Sequence, residues 1–293
     1  VKALRFITML AVSYQLLQVV SHEFAGIVLP RGVYSLLTYD VYGYENFNQI
    51  NMSFYRASSF FIEPAVFVQY ILLYLSISIF GKKNMTIEHP IEAALISISI
   101  ILSGSGQGLL LLSAMWGLWY LVKIVFGKKR SVVSLVLLIA VPVAIALVLP
   151  SFLSFEVVQN NLERIVGDNN LMGYATQARL VGYKYISDLK GIFFLIGKGY
   201  GNVVPDVYYP SVAYTIYSSG MIGISLVAII FMWLIKKCKT YGKVFSIIYI
   251  VLIIGTTSFF GCNICFYFAF LIADALFDQE DNGEKQFLEG GLL

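Results

Sequence analysis

Charged residues are scarce in this chain of 293 residues. Only 13% of its positions are Asp, Glu, Lys or Arg, whereas 58% are hydrophobic and the mean hydropathy is +0.78. Soluble domains carry about 25% charged residues. Long apolar stretches alternate with short polar breaks, which excludes an ordinary soluble domain. The pattern predicts an all-α fold, a polytopic integral membrane bundle of helices. The net charge of +3 is too small to indicate a nucleic-acid partner.

Histidine and cysteine are also scarce, which limits the chemistry available to the chain. The two histidines are His22 and His89, and no HExxH motif, metal-ligand cluster or acidic DxD pair is present. We therefore expect a reaction without a metal ion or another cofactor. Cys262 and Cys265 have the CxxC spacing of redox motifs, but they lie in an apolar run without metal partners. We expect ordinary buried thiols at these two positions, and the third cysteine is Cys238.

The apolar runs predict about eight membrane spans. Because the first run begins at the start of the chain, we expect a longer protein in which further spans precede it. We expect a single membrane domain over 1–277 and a polar, disordered tail over 278–293. The predicted spans are 3–20, 63–80, 90–104, 108–126, 132–150, 211–235, 243–260 and 262–277.

Lysine sets the predicted orientation of these spans. Clusters at 81–83, 127–130 and 236–239 follow spans, and Lys2 and Arg5 begin the first one. Basic residues beside a span mark the cytoplasmic side, and all these clusters agree with one topology. Two long segments, 21–62 and 151–210, then lie outside, and loops of that length usually carry a function. The second shows helical periodicity, including a helix predicted between Leu171 and Leu189.

Four of the six arginines fall in these outside segments, where the topology gives no reason for them. They are Arg31, Arg56, Arg164 and Arg179. A planar guanidinium grips phosphate or carboxylate oxygens with two parallel hydrogen bonds, which a lysine cannot do. The pattern therefore favours an anionic ligand outside the membrane. Arg31 is the weakest of the four, because an aromatic-rich surface loop also explains it.

The segment from Arg56 to Pro64 leads into the second span. Pro64 suits the first turn of a helix, and the residue before a proline is driven out of the helical region, so Glu63 is expected at the helix cap. One interpretation is structural, with Glu63 as a cap that Arg56 pairs with. The other is catalytic, with Glu63 as general base beside an arginine that binds an anion. His22, followed by Glu23, is either an acid–base pair or a polar pair at the interface.

Two glycine-rich stretches also have alternative interpretations. The run 197–201 either presents backbone amides to a phosphate or makes a turn back into the membrane. The run 103–108 is expected to allow either close helix packing or a tight turn. Arg164 and Arg179 share their loop with Lys198, and Glu163 and Asp188 are available there as simple ion-pair partners.

In this order, these pieces resemble the O-antigen polymerase (Wzy) family, which is related to the O-antigen ligases. The similarity covers roughly 56–223. Tyr209 stands where the ligases have a histidine, which favours a polymerase. The matching stretches are Arg-x-x-x-Phe-Phe-x-Glu-Pro at 56–64, a looser small-residue turn at 105–108 that lacks the arginine of the family, Arg179 within its predicted helix, and the glycines at 197, 199 and 201 with Asn202.

The resemblance implies an enzyme that polymerises oligosaccharide repeat units carried on undecaprenyl diphosphate, at the outer (periplasmic) face of the bacterial inner membrane. It implies membrane lipids as surroundings and a chain-length regulator and a flippase as partners. Glu63 and Arg179 are the expected catalytic residues, with His22 and Asp168 as reserve bases. The expected ligands of the diphosphate or glycan are Arg56, Arg164, Arg179, Lys198 and Tyr209.

Two other functions remain open at this point. A ligase that transfers finished glycan to lipid A-core would need an essential outside histidine, and only His22 is available. A flippase or other transporter of lipid-linked oligosaccharides would show charged residues within its spans and repeat symmetry. The predicted spans are nearly free of charge, which disfavours the transporter.

Overall fold

The computed structural model describes residues 1–30, 55–61, 63–82, 87–125, 174–205, 207–256 and 266–276. All regular structure in these ranges is helical, which confirms the all-α prediction. The helices are α1 (Lys2–Ala25), α2 (Pro64–Phe80), α3 (Pro90–Leu102), α4 (Gly106–Tyr120, continued by a π-helical turn over Leu121–Val125), α5 (Tyr174–Lys184, followed by a 3₁₀ turn over Tyr185–Asp188), α6 (Ile192–Ile196), α7 (Ser211–Lys237), α8 (Thr240–Gly255) and α9 (Phe266–Leu276).

Local sequence sets most of the helix ends. Pro64 and Pro90 occupy the first helical positions of α2 and α3, where a missing N–H costs nothing. Gly26 ends α1 in the left-handed conformation, with φ 65°. The predicted tight turn at 103–108 is confirmed: α3 ends at Leu102, and the Ser105 hydroxyl caps α4 by accepting a hydrogen bond from the Gly108 N–H (3.2 Å).

Two helices of the described part are long and apolar enough to cross a membrane, namely α1 and α7. Four others, α2, α3, α8 and α9, are apolar but shorter, with 10–17 residues each. The predicted span 132–150 lies outside the described residues. The count of eight spans therefore stays a prediction. The other seven predicted segments each contain a helix, and six of these helices are the apolar ones named above.

The chain divides into two compact units, Val1–Ile165 and Val166–Leu293. In the first unit, α1 to α4 pack with alternating direction. At one end, Arg5 and the Tyr74 hydroxyl donate hydrogen bonds to the Glu92 carboxylate. Towards the opposite end, Gln18 bonds with Ser59 just before α2. The predicted single domain over 1–277 stays a prediction, and the tail 278–293 lies outside the described residues.

The central helix of the first unit is α2. Phe67, Val68, Ile71 and Leu75 are fully buried, in keeping with the uniformly apolar sequence of the helix. Burial of each such side chain is worth roughly 1.5–3 kcal/mol. Gly108 of α4 packs directly against Val68, so the small residue lets the two helices approach closely.

The second unit is organised around α7, which contacts α5, α6 and α8. The helix breaks at Gly220 (φ 63°, ψ −160°), although its sequence predicted a continuous span. The backbone of Leu195 in α6 fills the place where a side chain at Gly220 would be, and the backbone of Ser218 does the same at Gly197. The two glycines therefore allow a backbone-to-backbone contact between α6 and α7.

A pair of glycine substitutions tests this contact. Gly197 and Gly199 both have positive φ, at 73° and 97°, but only a Cβ at Gly197 would overlap the α7 backbone. We expect Gly199→Ala to cost about 1–2 kcal/mol from backbone strain alone. Gly197→Ala should cost about 4 kcal/mol, in the exceptional range for one substitution. Thermal unfolding in detergent measures both, and equal losses would contradict the close approach.

Candidate functional site

The segment before α2 folds into a tight turn that carries Arg56. The Phe61 N–H donates to the Ser58 carbonyl (3.0 Å), and the Ser58 hydroxyl donates to the Phe61 carbonyl (2.7 Å). Ser59 adopts φ 55°, a left-handed conformation that is uncommon for residues other than glycine. Arg56 is only 8% exposed, so its guanidinium is held within the protein and is not a freely solvated surface charge.

Gln18 of α1 holds this turn in place. Its side-chain carbonyl accepts from the Ser59 N–H (2.8 Å), and its amide donates to the Ser59 carbonyl (3.3 Å) and the Pro30 carbonyl (3.0 Å). The Gln18 side chain thus pairs with both the N–H and the carbonyl of Ser59, in place of backbone partners. Tyr14, one turn earlier, stacks its ring on Phe60 at 4.6 Å between centroids. The C-terminal half of α1 therefore fixes the turn at Ser59 and Phe60.

Glu63 lies at the N-cap of α2 with an extended backbone (φ −127°, ψ 143°), which confirms the position expected from Pro64. Its backbone carbonyl accepts from the Phe67 N–H (3.1 Å), whereas its carboxylate does not cap the helix. The Glu63 side chain therefore does not cap the helix, and its catalytic role stays a prediction.

His22, in the last turn of α1, stacks on Tyr55 with ring centroids 4.3 Å apart. Its Nδ1 lies 3.0 Å from a carboxylate oxygen of Glu23, as the sequence pair suggested. Because Tyr55 immediately precedes Arg56, the structure brings His22 to the chain segment that carries the candidate arginine and Glu63. Residues predicted from two separate motifs, His22-Glu23 and the segment 56–64, therefore lie at one end of the first unit.

Buried glutamines are the part of this region that the sequence analysis missed. Gln15 and Gln18 are fully buried on one face of α1, and the Ser99 hydroxyl donates to the Gln15 carbonyl (2.9 Å). Two glutamines three residues apart in an apolar span were the available signal, because polar groups at membrane depth are costly and need partners.

In the second unit, α5 carries Arg179, which is half-buried. The helix predicted between Leu171 and Leu189 is thus confirmed for 174–188, with its last turn tightened to 3₁₀. Gly182 sets its position, because a Cβ there would come within 2.7 Å of the Tyr208 carbonyl oxygen. Within the described residues neither Arg179 nor Asp188 forms an ion pair, so the ion-pair interpretation is not observed there.

A cluster of tyrosines lies beside α5, and we call it the tyrosine cluster. Tyr209 and Tyr217 are buried at its centre, and Tyr183, Tyr185 and Tyr214 pack around them. Tyr209 is only 5% exposed, so in this structure it supports the cluster rather than an open surface. Burial raises the pKa of Tyr209, which a contact with the Val204 backbone partly opposes. Its phenol therefore stays neutral at physiological pH.

The glycine-rich loop 197–201 packs on the first half of α7. The N–H groups of Lys198 and Gly199 donate to the Tyr217 and Ser218 carbonyls, at 2.9 and 3.0 Å, and the Gly201 N–H donates to the Tyr214 hydroxyl (3.2 Å). These amides are engaged with the protein, so the loop is a turn against α7 and not an open phosphate cradle. The Lys198 ammonium donates to the Tyr217 hydroxyl (3.1 Å) and lies 5.0 Å from that ring's centre.

Several predicted positions fall outside the described residues. They are Arg31, Arg164, Asp168, Glu163, Cys262 and Cys265. Cys238 is buried, and its thiol donates to the Leu271 carbonyl. Across the described ranges, no group of three His, Cys, Asp or Glu side chains is placed to hold a metal ion. The absence of a metal from the reaction stays a prediction.

These observations define a class: a membrane-type protein of apolar helices, with a buried arginine and a carboxylate beside a strained turn at one end of its first unit. The sequence profile of the WcaD colanic acid polymerase family matches residues 1–183. Because the match covers more than half of the chain, the protein belongs to that family. The resemblance to Wzy-type polymerases is thereby confirmed, and membership implies a polymerase of glycosyltransferase type.

The matched range contains His22, Arg56, Glu63 and Arg179, but ends before Lys198 and Tyr209. The family match therefore includes the first unit and α5 almost to its end. No curated protein and no solved structure matches the chain.

Loss of the Gln18 amide should loosen the turn at Ser59. In Gln18→Leu the buried Ser59 N–H loses its acceptor, which costs about 1–3 kcal/mol. Tyr14→Phe is the matched control, because it removes one exposed hydrogen bond to the Pro30 carbonyl that Gln18 also contacts. We expect limited proteolysis to cut 55–61 faster in Gln18→Leu than in Tyr14→Phe. Identical cleavage rates would show that Gln18 does not hold the turn.

Proposed function

We propose that this protein polymerises oligosaccharide repeat units carried on undecaprenyl diphosphate, and that the product is a surface polysaccharide of the colanic acid type. The observation that carries the proposal is the family match over 1–183, which includes both Arg56 and Glu63. The outer face of the bacterial inner membrane is the proposed location, because the lysine-rich ends of the predicted spans lie on the other side. A chain-length regulator and a flippase are proposed partners.

The reaction requires two groups from the protein. A hydroxyl of the acceptor sugar attacks the anomeric carbon of the donor glycan, while the bond between that carbon and the diphosphate oxygen breaks. The hydroxyl proton passes to a base, and the leaving lipid diphosphate gains negative charge. Cations placed at the diphosphate stabilise that charge more in the transition state than in the ground state, which accelerates the reaction.

Arg56 is the proposed cation of the first unit. It is nearly buried, so its guanidinium has already lost most of its hydration and binds a phosphate at a lower desolvation cost. The turn at Ser59, held by Gln18, limits its freedom before the substrate arrives. Such preorganisation is what makes an electrostatic contact effective in catalysis.

Glu63 is the proposed general base. Its carboxylate lies at the start of α2 and is not consumed by capping, and its backbone is fixed by Pro64. His22 is the reserve base, because it lies at the same end of the unit beside Tyr55. Asp168, the other reserve, lies outside the described residues.

Further contacts to the lipid diphosphate and the glycan are proposed in the second unit. Arg179 on α5 is half-buried, and its guanidinium offers a fork of donors that matches phosphate oxygens. Lys198 supplies a second cation, which Tyr217 positions. Arg164 and Tyr209 remain proposed ligands, with Tyr209 acting through the tyrosine cluster.

The arginine assignment is tested by matched substitutions. Arg56→Ala and Arg179→Ala should each lower polymerisation about 10²–10³-fold, the usual loss when one transition-state donor is removed. The Lys substitutions should recover only part of this, because an ammonium cannot bind two oxygens in the fork geometry. Arg5→Ala is the control, since Arg5 pairs with Glu92 at the opposite end of the first unit.

The measurement uses a defined lipid-diphosphate repeat unit incubated with the purified protein, with products separated as a ladder. We expect the Arg56 and Arg179 alanine variants to yield only single-unit products. Long chains from both would refute the assignment. The ladder should form equally well in the presence of EDTA, because no step of the proposed reaction uses a metal ion.

The identity of the base is tested separately. Glu63→Gln keeps the size and polarity of the side chain but cannot accept a proton, so we expect about a 10²–10⁴-fold loss of rate. His22→Ala should leave most of the activity if His22 only stacks on Tyr55. The opposite result, an active Glu63→Gln and an inactive His22→Ala, would transfer the role to His22.

A further inference from the structure

The short helix α6 exposes apolar side chains on all sides that do not touch α7. Its five residues, Ile192, Phe193, Phe194, Leu195 and Ile196, are each 45–59% exposed. Left in water, such a segment would be an apolar patch without a partner. Its flanking residues are Lys190 with Gly191 at one end and Gly197 with Lys198 at the other.

The contact with α7 fixes how deep α6 lies. Lys236 and Lys237 end α7 and mark one membrane boundary. At about 1.5 Å per residue, Gly220 is at most about 24 Å from Lys236 along the helix, and Tyr217 is at most about 29 Å away. The hydrocarbon core is about 30 Å thick. Because the Leu195 backbone touches Gly220, α6 lies at a depth occupied by hydrocarbon.

At the depth of the hydrocarbon, unsatisfied backbone polar groups are costly. Several backbone groups of α6 and its flanking residues are paired. The Phe194 N–H donates to the Gly191 carbonyl (3.2 Å), and the Gly197 N–H donates to the Phe193 carbonyl (2.8 Å). The next two amides, of Lys198 and Gly199, pair with the carbonyls of α7. Gly191 and Gly197 have positive φ (57° and 73°) and turn the chain into and out of the segment.

From these observations we infer that α6 is a re-entrant segment that enters the outer leaflet of the bilayer and contacts lipid acyl chains. Its apolar surface continues the exposed apolar face of α7, where Leu226, Ile229 and Ile230 also face outward. Lys198 then lies at the boundary between hydrocarbon and headgroups, beside Tyr217, where its charge complements lipid phosphates. This inference does not depend on the reaction proposed above.

Spin labels distinguish the possible surroundings of α6. In the protein with all three cysteines replaced, single cysteines at Phe194, Ile230 and Tyr200 are labelled after reconstitution into vesicles. Ile230 is the control for the lipid-facing side of α7, and Tyr200, 76% exposed in the loop, is the control for water. For each label, we compare the rate of collisions with oxygen with the rate of collisions with a water-soluble nickel chelate. We expect the oxygen-to-nickel ratio at 194 to match the ratio at 230. The ratio at 200 should be several-fold lower.

Two results would overturn the inference. Nickel accessibility at 194 equal to that at 200 would place α6 in water. Low collision rates with both reagents at 194 would mean that protein covers it. If the cysteine-free protein does not fold, Phe194→Trp and Tyr200→Trp in the natural background give the same answer. Brominated lipid should then quench the added fluorescence at 194 several-fold more than at 200, and equal quenching would refute membrane insertion.

Discussion

The break in α7 at Gly220 leaves backbone carbonyls without their helical partners in apolar surroundings, and the pairing of those carbonyls determines how the second unit is built. Tyr217 and Ser218 accept hydrogen bonds from Lys198 and Gly199, so the glycine-rich loop must run along the helix. The same contact sets the position of the Lys198 ammonium and the depth of α6. The glycines at 197 and 220 are required because backbone occupies the space of a side chain at both positions.

The first unit also has buried backbone groups without helical partners, and there a side chain pairs with them. A turn containing Ser59 in a left-handed conformation is buried before α2, and its N–H and carbonyl both bond with Gln18. Gln18 is expensive to bury in an apolar helix, and the cost is offset only because each of its polar atoms has a partner. The position of Arg56 therefore depends on a residue of α1 that is far away in the sequence. In both units, the position of a candidate cation, Arg56 or Lys198, depends on hydrogen bonds to backbone groups that lie outside regular helix geometry.

Local signals explain the parts that could be predicted. Pro64 set the start of α2 and the extended backbone at Glu63, and Ser105 with its neighbouring glycines set the turn into α4. The periodicity around Arg179 located α5 within a few residues. The role of Gln18, the break at Gly220 and the burial of Tyr209 were not predictable in this way. Each depends on which other segment lies against it: Ser59 is 41 positions from Gln18, and Leu195 is 25 positions from Gly220.

The sequence by itself determined the all-helical, membrane-type character of the protein, because long continuous apolar runs with few charges favour helices, which pair their backbone groups within one segment. It also indicated the family through motifs at Arg56, Glu63 and Arg179, since these are contiguous stretches. Only the tertiary structure decided that the amides of the glycine loop are engaged with α7 and that Arg56 is nearly buried. The physical reason is that hydrogen-bond partners and burial belong to pairs of segments, and no single stretch of sequence records its partner.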